Sequence, residues 1–396
     1  MATARFDVRL SSLMAEVRDM SSPQQLYRDK TRVRAERIDG AVHLYRHQDI
    51  TAVNRHPAVL GNGGAGGTFA TGTPLIPLEI DGADHAKWRR LLDPMFSPKQ
   101  VKRLEGAVRT RARELIDGFA GQGQVELYSR FCVPLPCLTF LNLIGAPVED
   151  LDFFLAFKDG VIHPEGDTAE EIDANMASAG AKLYGYFADL LAERRRSEAR
   201  DDVIGALLVA EVDGRRATDD ELLNILFLLM FAGLDTVTAS LSCMFAWLAT
   251  HPAEREKIVK EPALIPSVVE ELLRHESPVP SGQRYATESI DLGDGLVIEA
   301  GEAIHAVWAA ANVDSDAFPD PLKVDFERQR HTHIAFASGT HRCLGSHLAR
   351  LELRLALEEF HRRIPDYEVT PDDGIRYANI AVRAAQYLPL TLPSKG

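Results

Sequence analysis

Apolar residues follow a helical spacing through most of the chain. Ser97 and Pro98 are typical of a helix N-cap and first helical position, and apolar residues recur along the stretch that follows, to about Phe119. Gly180 to Arg196 is a second stretch with this spacing. The pattern predicts a chain that is mainly α-helical.

Strand patterns are few, and they occur late in the chain. Gly295 to Ile298 and Ala303 to Val307 are short candidates joined by a turn that contains Gly301, and Tyr377 to Leu392 also has an extended pattern. We therefore expect an α+β fold, mainly α with a small β part, in one domain over residues 1–396.

The strongest helix signal lies between Thr218 and Thr250. Thr218 and Glu221 form a capping-box pattern just before an apolar run, and His251 before Pro252 is a natural stop. At about 1.5 Å per residue this helix is about 50 Å long. Because much of it is apolar on every side, we expect it to be buried through the middle of the protein.

Residues 232–236 interrupt this apolar helix with three residues that are unfavourable in a buried helix. Gly233 costs about 1 kcal/mol relative to alanine, and a buried Asp235 costs several kcal/mol unless it is paired. The Thr236 hydroxyl can bond to the carbonyl of Ala232 and bend the helix. The interruption predicts a local widening into which the acid Asp235 and the alcohol Thr236 point. A simple helix kink with a satisfied core aspartate is the alternative.

Composition and charge narrow the class of protein. The 396 residues include 58 acidic and 44 basic side chains, and the resulting net charge of −14 disfavours general binding of nucleic acid. Residues 1–10 lack the apolar core of a signal peptide, and the longest apolar run, residues 225–234, is about half of a membrane span. The four cysteines form no C-x-x-C pair. We expect a cytoplasmic protein with reduced thiols and no membrane span.

Cys343 differs from the other cysteines in its surroundings. It belongs to the pattern F-x-x-G-x-H-x-C-x-G, whose fixed members are Phe336, Gly339, His341, Cys343 and Gly345. A helix is predicted from about Ser346 to Arg362, and amides at its start would stabilise a thiolate. The two glycines allow tight turns and close backbone approach. Cys132, Cys137 and Cys243 fit the role of small buried hydrophobic residues.

This pattern resembles the haem-binding loop of the cytochrome P450 monooxygenases. The resemblance implies the triangular, helix-rich fold of that family, with haem b between the long helix and the cysteine-loop helix, and Cys343 as the axial thiolate that binds the metal. Ala232 to Thr236 is similar to the family's A-G-x-D-T motif. By that match Ala232 and Gly233 lie against the haem, Thr236 hydrogen-bonds the distal oxygen, and Asp235 helps to relay protons.

A structural network behind the haem is also implied by the resemblance. Glu271 and Arg274 match the family's E-x-x-R helix, and Arg328 matches the arginine that completes a Glu–Arg–Arg network. E-x-x-R by itself is also an ordinary i,i+3 helix pair. One departure is visible, because residues 312–314 read Asn-Val-Asp where the family often has Asn-Arg-Asp. This departure puts one structural contact in doubt.

Four cationic side chains match the family's partners of the haem propionates. They are His85, Arg89, Arg284 and His341. His85 and Arg89 are four residues apart, so they share a helix face. Propionates need cations or hydrogen-bond donors, although each of these residues alone could be a surface charge.

The resemblance further implies an apolar distal pocket. With Ala232, its lining is expected to be Leu228, Phe231, Val279, Ile380, Ala381 and Val382. Plain core packing is the alternative for each of them. Because the lining has no arginine or lysine, we expect a hydrophobic terpenoid, steroid-like or fatty substrate. The glycine-rich stretch 61–67 is either a surface loop or a lid over this pocket.

Electrons must come from other proteins. The chain has no G-x-G-x-x-G dinucleotide site or iron–sulfur cysteine set, so we expect a separate ferredoxin and a ferredoxin reductase that uses NAD(P)H. A basic region could dock an acidic ferredoxin or be a solvated helix face. Its members are Lys99, Lys102, Arg103, Arg109, Arg111, Arg113 and Arg342. O₂ and the substrate would be the other partners, and we expect a monomer.

The sequence leaves three alternatives to a monooxygenase open. A peroxide-driven peroxygenase of the same fold is one, although the intact Asp235–Thr236 pair argues against it. A haem sensor or carrier without turnover is the second, but an acid–alcohol pair would then lack a purpose. A zinc site is the third, with ligands from His331, His333, His341 and Cys343, although their spacing matches no closed zinc pattern.

Overall fold

The computed structural model describes residues 20–61, 74–162, 166–329, 332–379 and 382–393. Helices dominate these ranges. They are α1 (Gln24–Val33), α2 (His47–Val53), α3 (Gly82–Leu92), α4 (Pro98–Lys102), α5 (Glu105–Asp117), α6 (Pro134–Ile144), α7 (Leu151–Ile162), α8 (Ala169–Arg196), α9 (Val203–Val209), α10 (Asp219–Thr250), α11 (Pro252–Lys260), α12 (Ile265–Glu276), α13 (Trp308–Ala311) and α14 (Ser346–Arg363).

The long helix α10 is confirmed with both of its ends. The Glu221 amide donates to Thr218 Oγ1 at 3.3 Å, and the Thr218 amide donates to Glu221 Oε2 at 2.7 Å, which completes the capping box. By length and composition alone α10 could cross a membrane, but most of its apolar stretch is buried. Helices α6, α12 and α14 pack around it, so the protein's own core accounts for its apolar surface.

Two other predicted helices need correction. The stretch from Pro98 to Phe119 is two helices, because the amides of Arg103 and Leu104 bond three residues back, at 3.0 Å each, and close a tight turn between α4 and α5. Helix α8 begins eleven residues before the predicted Gly180. Its start has the same capping box as α10, formed by Thr168 and Glu171. The cysteine-loop helix α14 ends within one residue of the prediction.

Strands form small sheets at the side of the helical body. Their bounds are β1 (Ala35–Ile38), β2 (Ala41–Leu44), β3 (Val59–Leu60), β4 (Gln124–Glu126), β5 (Glu211–Val212), β6 (Arg215–Arg216), β7 (Gly282–Ala286), β8 (Ile290–Asp291), β9 (Val297–Ile298), β10 (Ala303–Ala306), β11 (Glu368–Val369), β12 (Arg376–Asn379), β13 (Arg383–Tyr387) and β14 (Pro389–Thr391). The largest sheet has the order β1-β2-β10-β7-β3, with β10 parallel to β2 and antiparallel to β7.

The two predicted strands around Gly301 exist but belong to different sheets. β9 pairs with β8, whereas β10 pairs with β2 and β7. Ile304 and Ala306 are fully buried against Val42 and Leu44 of β2, so long-range apolar contact decides the partner of β10. The extended pattern at the C-terminal end is confirmed as β12, β13 and β14, and β12 and β13 form a hairpin.

The predicted network of Glu271, Arg274 and Arg328 is brought together in the interior. Both oxygens of Glu271 accept bonds from Arg274, at 2.8 and 2.9 Å, and Arg328 Nε donates to the same carboxylate at 3.1 Å. Arg274 also donates to the carbonyls of Asn312 and Pro321, at 2.8 Å each. The side chains of Glu271 and Arg274 are fully buried. The network therefore joins α12 to the loops that precede the cysteine loop.

The departure at Val313 is accommodated by apolar packing. Val313 is fully buried in a cluster with Tyr27 and Tyr45. Its neighbour Asn312 keeps a structural role, because its side-chain oxygen accepts the Ile334 amide at 2.8 Å and its amide group donates to Ser277 at 2.9 Å. The segment that leads into the cysteine loop is thus tied to the end of α12.

Candidate active site

The cysteine loop is a compact turn immediately before α14. The Cys343 amide donates to the carbonyl of Phe336 at 2.9 Å, and the Arg342 amide donates to that of Gly339 at 3.2 Å. Cys343 is exposed, although the other three cysteines are buried. The loop therefore presents one thiol while its backbone is closed by its own hydrogen bonds.

The two glycines of this loop have different roles. Gly339 has a φ of +75°, and a Cβ there would overlap the backbone carbonyl of Asn54 at the end of α2. Asn54 also donates to Ser338 at 3.0 Å. Gly345 has a φ of −80°, and a Cβ there would meet no atom within 4 Å among the described residues. The predicted need for close backbone approach is therefore met at Gly339 but not at Gly345.

The electrostatics of Cys343 are less simple than a helix-end effect. Although Cys343 keeps an accessible surface, desolvation by the protein atoms packed near its sulfur raises the pKa of the thiol. The Gly345 amide and the charges of Arg89 and Arg342 lower the pKa, as a helix start and nearby cations should, but the effect of burial is larger. The protein alone therefore favours the neutral thiol at this position.

The four predicted propionate partners lie in one cluster beside this loop. The rings of His85 and His341 are in contact, with centroids 4.2 Å apart and planes tilted by 34°, and Arg89 donates to the carbonyl of Arg342 at 2.8 Å. Arg284 is buried, and its guanidinium interacts electrostatically with Asp81. Asp81 is in turn bonded to His341 at 2.7 Å. Strand β7, helix α3 and the cysteine loop thus contribute to one cationic site.

Burial shifts the pKa values of this cluster. It lowers the pKa of Arg284 to about 10, and with the charges of His341 and Arg89 it lowers the pKa of His85 to about 4. His85 Nε2 is buried and has no hydrogen-bond partner among the described residues. The approach of an anion stabilises such buried groups, because it accepts the hydrogen bonds that water no longer makes and it compensates the positive charge.

Asp81 is a member of this site that the sequence reading did not assign. It stands at the N-cap of α3, but its carboxylate accepts bonds from His341 and from the Gly61 amide, both at 2.7 Å. Although burial raises its pKa, these hydrogen bonds lower the pKa below the usual value. An Asp–Gly pair before a helix marks an N-cap, whereas the contact with His341, 260 residues away, leaves no local signal.

Helix α10 remains a continuous α-helix through residues 232–236, where the sequence predicted an interruption. The Thr236 hydroxyl donates to the carbonyl of Ala232 at 2.9 Å, as predicted. Ala232 is exposed and Thr236 half-buried, although the helix around them is mostly buried, and Asp235 is buried. The face that carries Ala232 and Thr236 is therefore accessible within a mostly buried helix, and the helix remains α-helical where a local widening was predicted.

Two of the predicted pocket residues meet although they are far apart in sequence. Val279 and Val382 pack in one apolar cluster with Ala239 of α10. Leu228 is buried in the main core, and Phe231 is half-buried at its edge. Ile380 and Ala381 lie outside the described residues, as do residues 62–67 of the glycine-rich stretch.

Tyr128 is a further residue at this cluster that the sequence reading missed. Its ring packs against the group of Val279 and Val382, and its hydroxyl is buried without a hydrogen-bond partner among the described residues. Burial, and then the charge of Asp235, raise the pKa of this phenol. Tyr128 opens a π-helical turn, which sequence periodicity does not distinguish from an α-helix.

The zinc alternative loses support in the described part of the chain. His333 contacts Glu270 at 3.1 Å, and His341 contacts Asp81 at 2.7 Å. No group of three or more metal-ligating side chains occurs among the described residues, and His331 lies outside them.

The arrangement fits a haem on chemical grounds. The accessible thiol of Cys343 is a suitable axial ligand, and the exposed Ala232 gives a small surface against which a flat ring can pack. The unpartnered His85 nitrogen, with Arg89, Arg284 and His341, suits the carboxylates of such a ring.

Comparison with known proteins agrees with this chemistry. Residues 168–374 match the family model described as Cytochrome P450. The chain is similar to the steroid C26-monooxygenase of Mycobacterium tuberculosis, with 30% identity over 91% of this chain and 88% of that protein. It is also similar to the mycinamicin IV hydroxylase/epoxidase of Micromonospora griseorubida, with 35% identity over 79% of each.

Solved structures show the same likeness. The crystal structure of CYP109E1 from Bacillus megaterium in complex with corticosterone has a TM-score of 0.86 to this chain. The two chains are 26% identical, and the match covers 94% of this chain and 98% of that one. The expected α+β fold with its small β part is therefore confirmed.

The unequal roles of the two loop glycines can be tested. Gly339→Ala should sharply lower the amount of haem bound per protein, because a side chain in the left-handed region costs about 1–3 kcal/mol and also displaces the loop from Asn54. Gly345→Ala is the matched control and should keep most of the haem. Haem-to-protein ratios from absorption spectra measure this, and equal ratios in the two variants would contradict the assignment.

Proposed function

The chain belongs to the cytochrome P450 family, and from that premise we propose that it is a monooxygenase in which Cys343 ligates haem b and the substrate is a hydrophobic, steroid-like or terpenoid molecule. The observation that carries the proposal is the accessible Cys343 thiol in a loop flanked by the cations Arg89 and Arg284 and by the imidazoles of His85 and His341. The family binds haem b through a cysteine thiolate, and its monooxygenase members, such as the steroid C26-monooxygenase, use O₂.

The residues around Cys343 would hold the cofactor. His85, Arg89, Arg284 and His341 would bind its two propionates, and Ala232 and Gly233 would pack against its ring, with Phe336 on the thiolate side. When bound, the haem supplies the binding of O₂ and the transfer of one oxygen atom. The cationic cluster then fixes the orientation of the ring, because bidentate and charge-assisted bonds are directional.

Thr236 and Asp235 would manage the protons of the reaction. The hydroxyl of Thr236 already donates to the Ala232 carbonyl, which leaves its oxygen free to accept a bond and holds it at a defined position. The buried Asp235 carboxylate lies one residue earlier and can pass protons toward this hydroxyl. This division of roles is why we prefer O₂ over peroxide as the oxidant.

The substrate class follows from the lining of the proposed pocket. Leu228, Phe231, Val279 and Val382 are apolar, and the lining that the structure describes contains no cation to hold a carboxylate. Relatives named for the oxidation of a steroid and of mycinamicin IV support a bulky hydrophobic substrate. Burial of such a substrate yields about 25 cal/mol per Å² of apolar surface, which needs no charged anchor.

An optical titration of the ferric protein tests the substrate class. We expect a steroid or a terpenoid to shift the haem band toward high spin, because a bulky ligand in the distal pocket displaces water from the iron. Fatty acids of equal carbon number form the matched panel. A shift by fatty acids alone would contradict the steroid-like class, and absence of any haem band in loaded protein would contradict the whole assignment.

The role of Thr236 can be tested on the same helix. Thr236→Ala should keep the haem spectrum but lower the product formed per NAD(P)H several-fold, with the lost electrons recovered as hydrogen peroxide. Thr238→Ala is the control, because Thr238 lies on another side of α10 with its hydroxyl buried. Unchanged coupling in Thr236→Ala, or efficient turnover with peroxide alone, would favour a peroxygenase.

We further propose that a ferredoxin and its NAD(P)H-dependent reductase supply the electrons. Much of the basic region is already neutralised, since Arg103 pairs with Asp201 and Arg111 with Glu114, and Arg109 and Arg113 share Glu359. Lys99 and Lys102 are exposed and have no ion pair in the described ranges. Arg342 is also exposed and has no ion pair among the described residues, so the basic region that is not neutralised consists of Lys99 and Lys102 of α4 and Arg342 of the cysteine loop.

A groove of about 430 Å³ lies beside these lysines and supports the docking proposal. Val101, Val269 and Leu351 form its apolar part, and Lys102 and His347 add basic groups. Arg350 and Arg354 also line the groove, but they pair with Glu270 and Glu105 in the same lining. His347, Arg350 and Arg354 belong to α14, which begins three residues after Cys343. A partner seated here would bring its redox centre near the thiolate side of the haem.

Electrostatic docking predicts a salt-dependent defect. Lys102→Glu should slow reduction by an acidic ferredoxin about three- to tenfold at low ionic strength, and the difference should vanish toward 1 M salt. Arg32→Glu is the control, because Arg32 is also exposed, makes only a long contact of 3.7 Å with Asp29, and lies on α1. Stopped-flow reduction rates measure both variants. Equal rates for Lys102→Glu and the parent protein at low salt would contradict this docking surface.

A further inference from the structure

A buried ion pair connects two parts of the proposed pocket wall that are far apart in sequence. Arg383 Nη1 and Glu276 Oε2 are 2.7 Å apart, and the side chains are 1% and 4% exposed. Glu276 ends α12, three residues before Val279, and Arg383 follows Val382 directly. The Arg383 amide also donates to the carbonyl of Pro278 at 2.8 Å. Both walls therefore meet at this pair.

Arg383 makes more contacts than an ordinary ion pair requires. Its Nε donates to the carbonyl of Met20 at 2.7 Å, and its Nη2 donates to that of Ser21 at 3.1 Å. Glu276 Oε1 accepts a bond from Gln24 Nε2 at 3.2 Å. The pair thus also holds the chain at the start of α1. Because these acceptors surround a planar guanidinium, a lysine ammonium cannot reproduce them.

The pair is also anchored to the central helix. The Cys243 thiol on α10 donates to the carbonyl of Arg383 at 3.4 Å, and Arg383 Nη1 lies 3.6 Å from the same sulfur. Cys243 is seven residues, or two helical turns, after Thr236. The Arg383 side chain therefore relates both pocket walls to the helix that carries the proposed oxygen-handling residues.

Because the Arg383–Glu276 pair is buried, its two side chains must keep their hydrogen-bonded geometry. Although burial raises the pKa of Glu276, the charge of Arg383 and a hydrogen bond from His275 outweigh it and lower the pKa to about 2. Both members are therefore charged, and each depends on the other, because an unpaired buried charge is strongly unfavourable. Small displacements of either wall would separate the charges, so the walls are held at one spacing.

We propose that Arg383 and Glu276 are positioning residues that set the spacing between Val279 and Val382 and thereby the orientation of the substrate. The proposal rests on the proposed function, in which these two valines line the distal pocket. Neither charged side chain needs to touch the substrate. Their effect is on the shape of an apolar wall, which decides how a rigid molecule lies over the haem.

Azole ligands of two sizes test the pocket shape without a known substrate. Imidazole needs only access to the haem iron, whereas 4-phenylimidazole must also fit its phenyl ring between the pocket walls. In haem-loaded protein, Arg383→Lys and Glu276→Gln should weaken 4-phenylimidazole binding about tenfold and change imidazole binding less than about twofold. Dissociation constants come from the shift of the haem band.

A matched ion pair controls for general loss of stability. Arg194 bonds both oxygens of Asp202 at 2.7 Å, is similarly buried, and joins α8 to the N-cap of α9. Arg194→Gln should lower the melting temperature and leave both azole affinities unchanged. An equal loss of 4-phenylimidazole affinity in Arg194→Gln would show that the effect is only destabilisation, and would overturn the proposal.

A double variant separates stability from positioning if a single variant does not accumulate. Arg383→Met with Glu276→Met removes both charges, so the protein should regain stability but not affinity for 4-phenylimidazole. Parental affinity in this variant would overturn the proposal. Failure of the parent protein to bind imidazole through its haem iron would instead contradict the proposed function, so the two failures are distinguishable.

Discussion

The complete burial of the Glu271–Arg274 pair is the constraint on which the active site depends. A carboxylate and a guanidinium without exposure to water must satisfy every hydrogen bond inside the protein. Arg274 does so by binding the carbonyls of Asn312 and Pro321, and Asn312 in turn binds the Ile334 amide. The hydrogen bonds that these two buried charges require therefore fix the position of the segment that enters the cysteine loop.

The cationic cluster shows how the fold prepares a site for an anionic cofactor. His85 and Arg284 are buried, and the loss of water lowers the pKa values of both groups. Asp81 is bonded to His341 and offsets part of the positive charge of this cluster, so Arg89 and Arg284 are the cations that would pair with the propionates. The thiol of Cys343 follows the same logic, because burial opposes its ionisation and metal binding must supply the difference.

Local signals predicted the elements whose ends are made by neighbouring residues. The capping box of Thr218 and Glu221, and the glycine before α14, act within one helical turn, so spacing alone revealed them. The break at Arg103 was missed because a tight turn of i to i−3 hydrogen bonds has no distinct apolar spacing, and the partner of β10 was missed because tertiary packing decides it. Asp81, Tyr128 and Arg383 also gave no signal, since His341, Asp235 and Glu276, which respectively interact with them in the site, are more than 100 residues away in sequence.

The order of motifs along the chain determined the family, the cofactor and the identity of Cys343 as its proposed ligand, because these depend on residue types at short, fixed spacings. Tertiary structure alone decided which glycine the loop requires, which cations meet His341, and how Val279 and Val382 are held together. The reason is physical: close approach of two backbones and the pairing of buried charges are properties of surfaces that only the folded chain brings into contact.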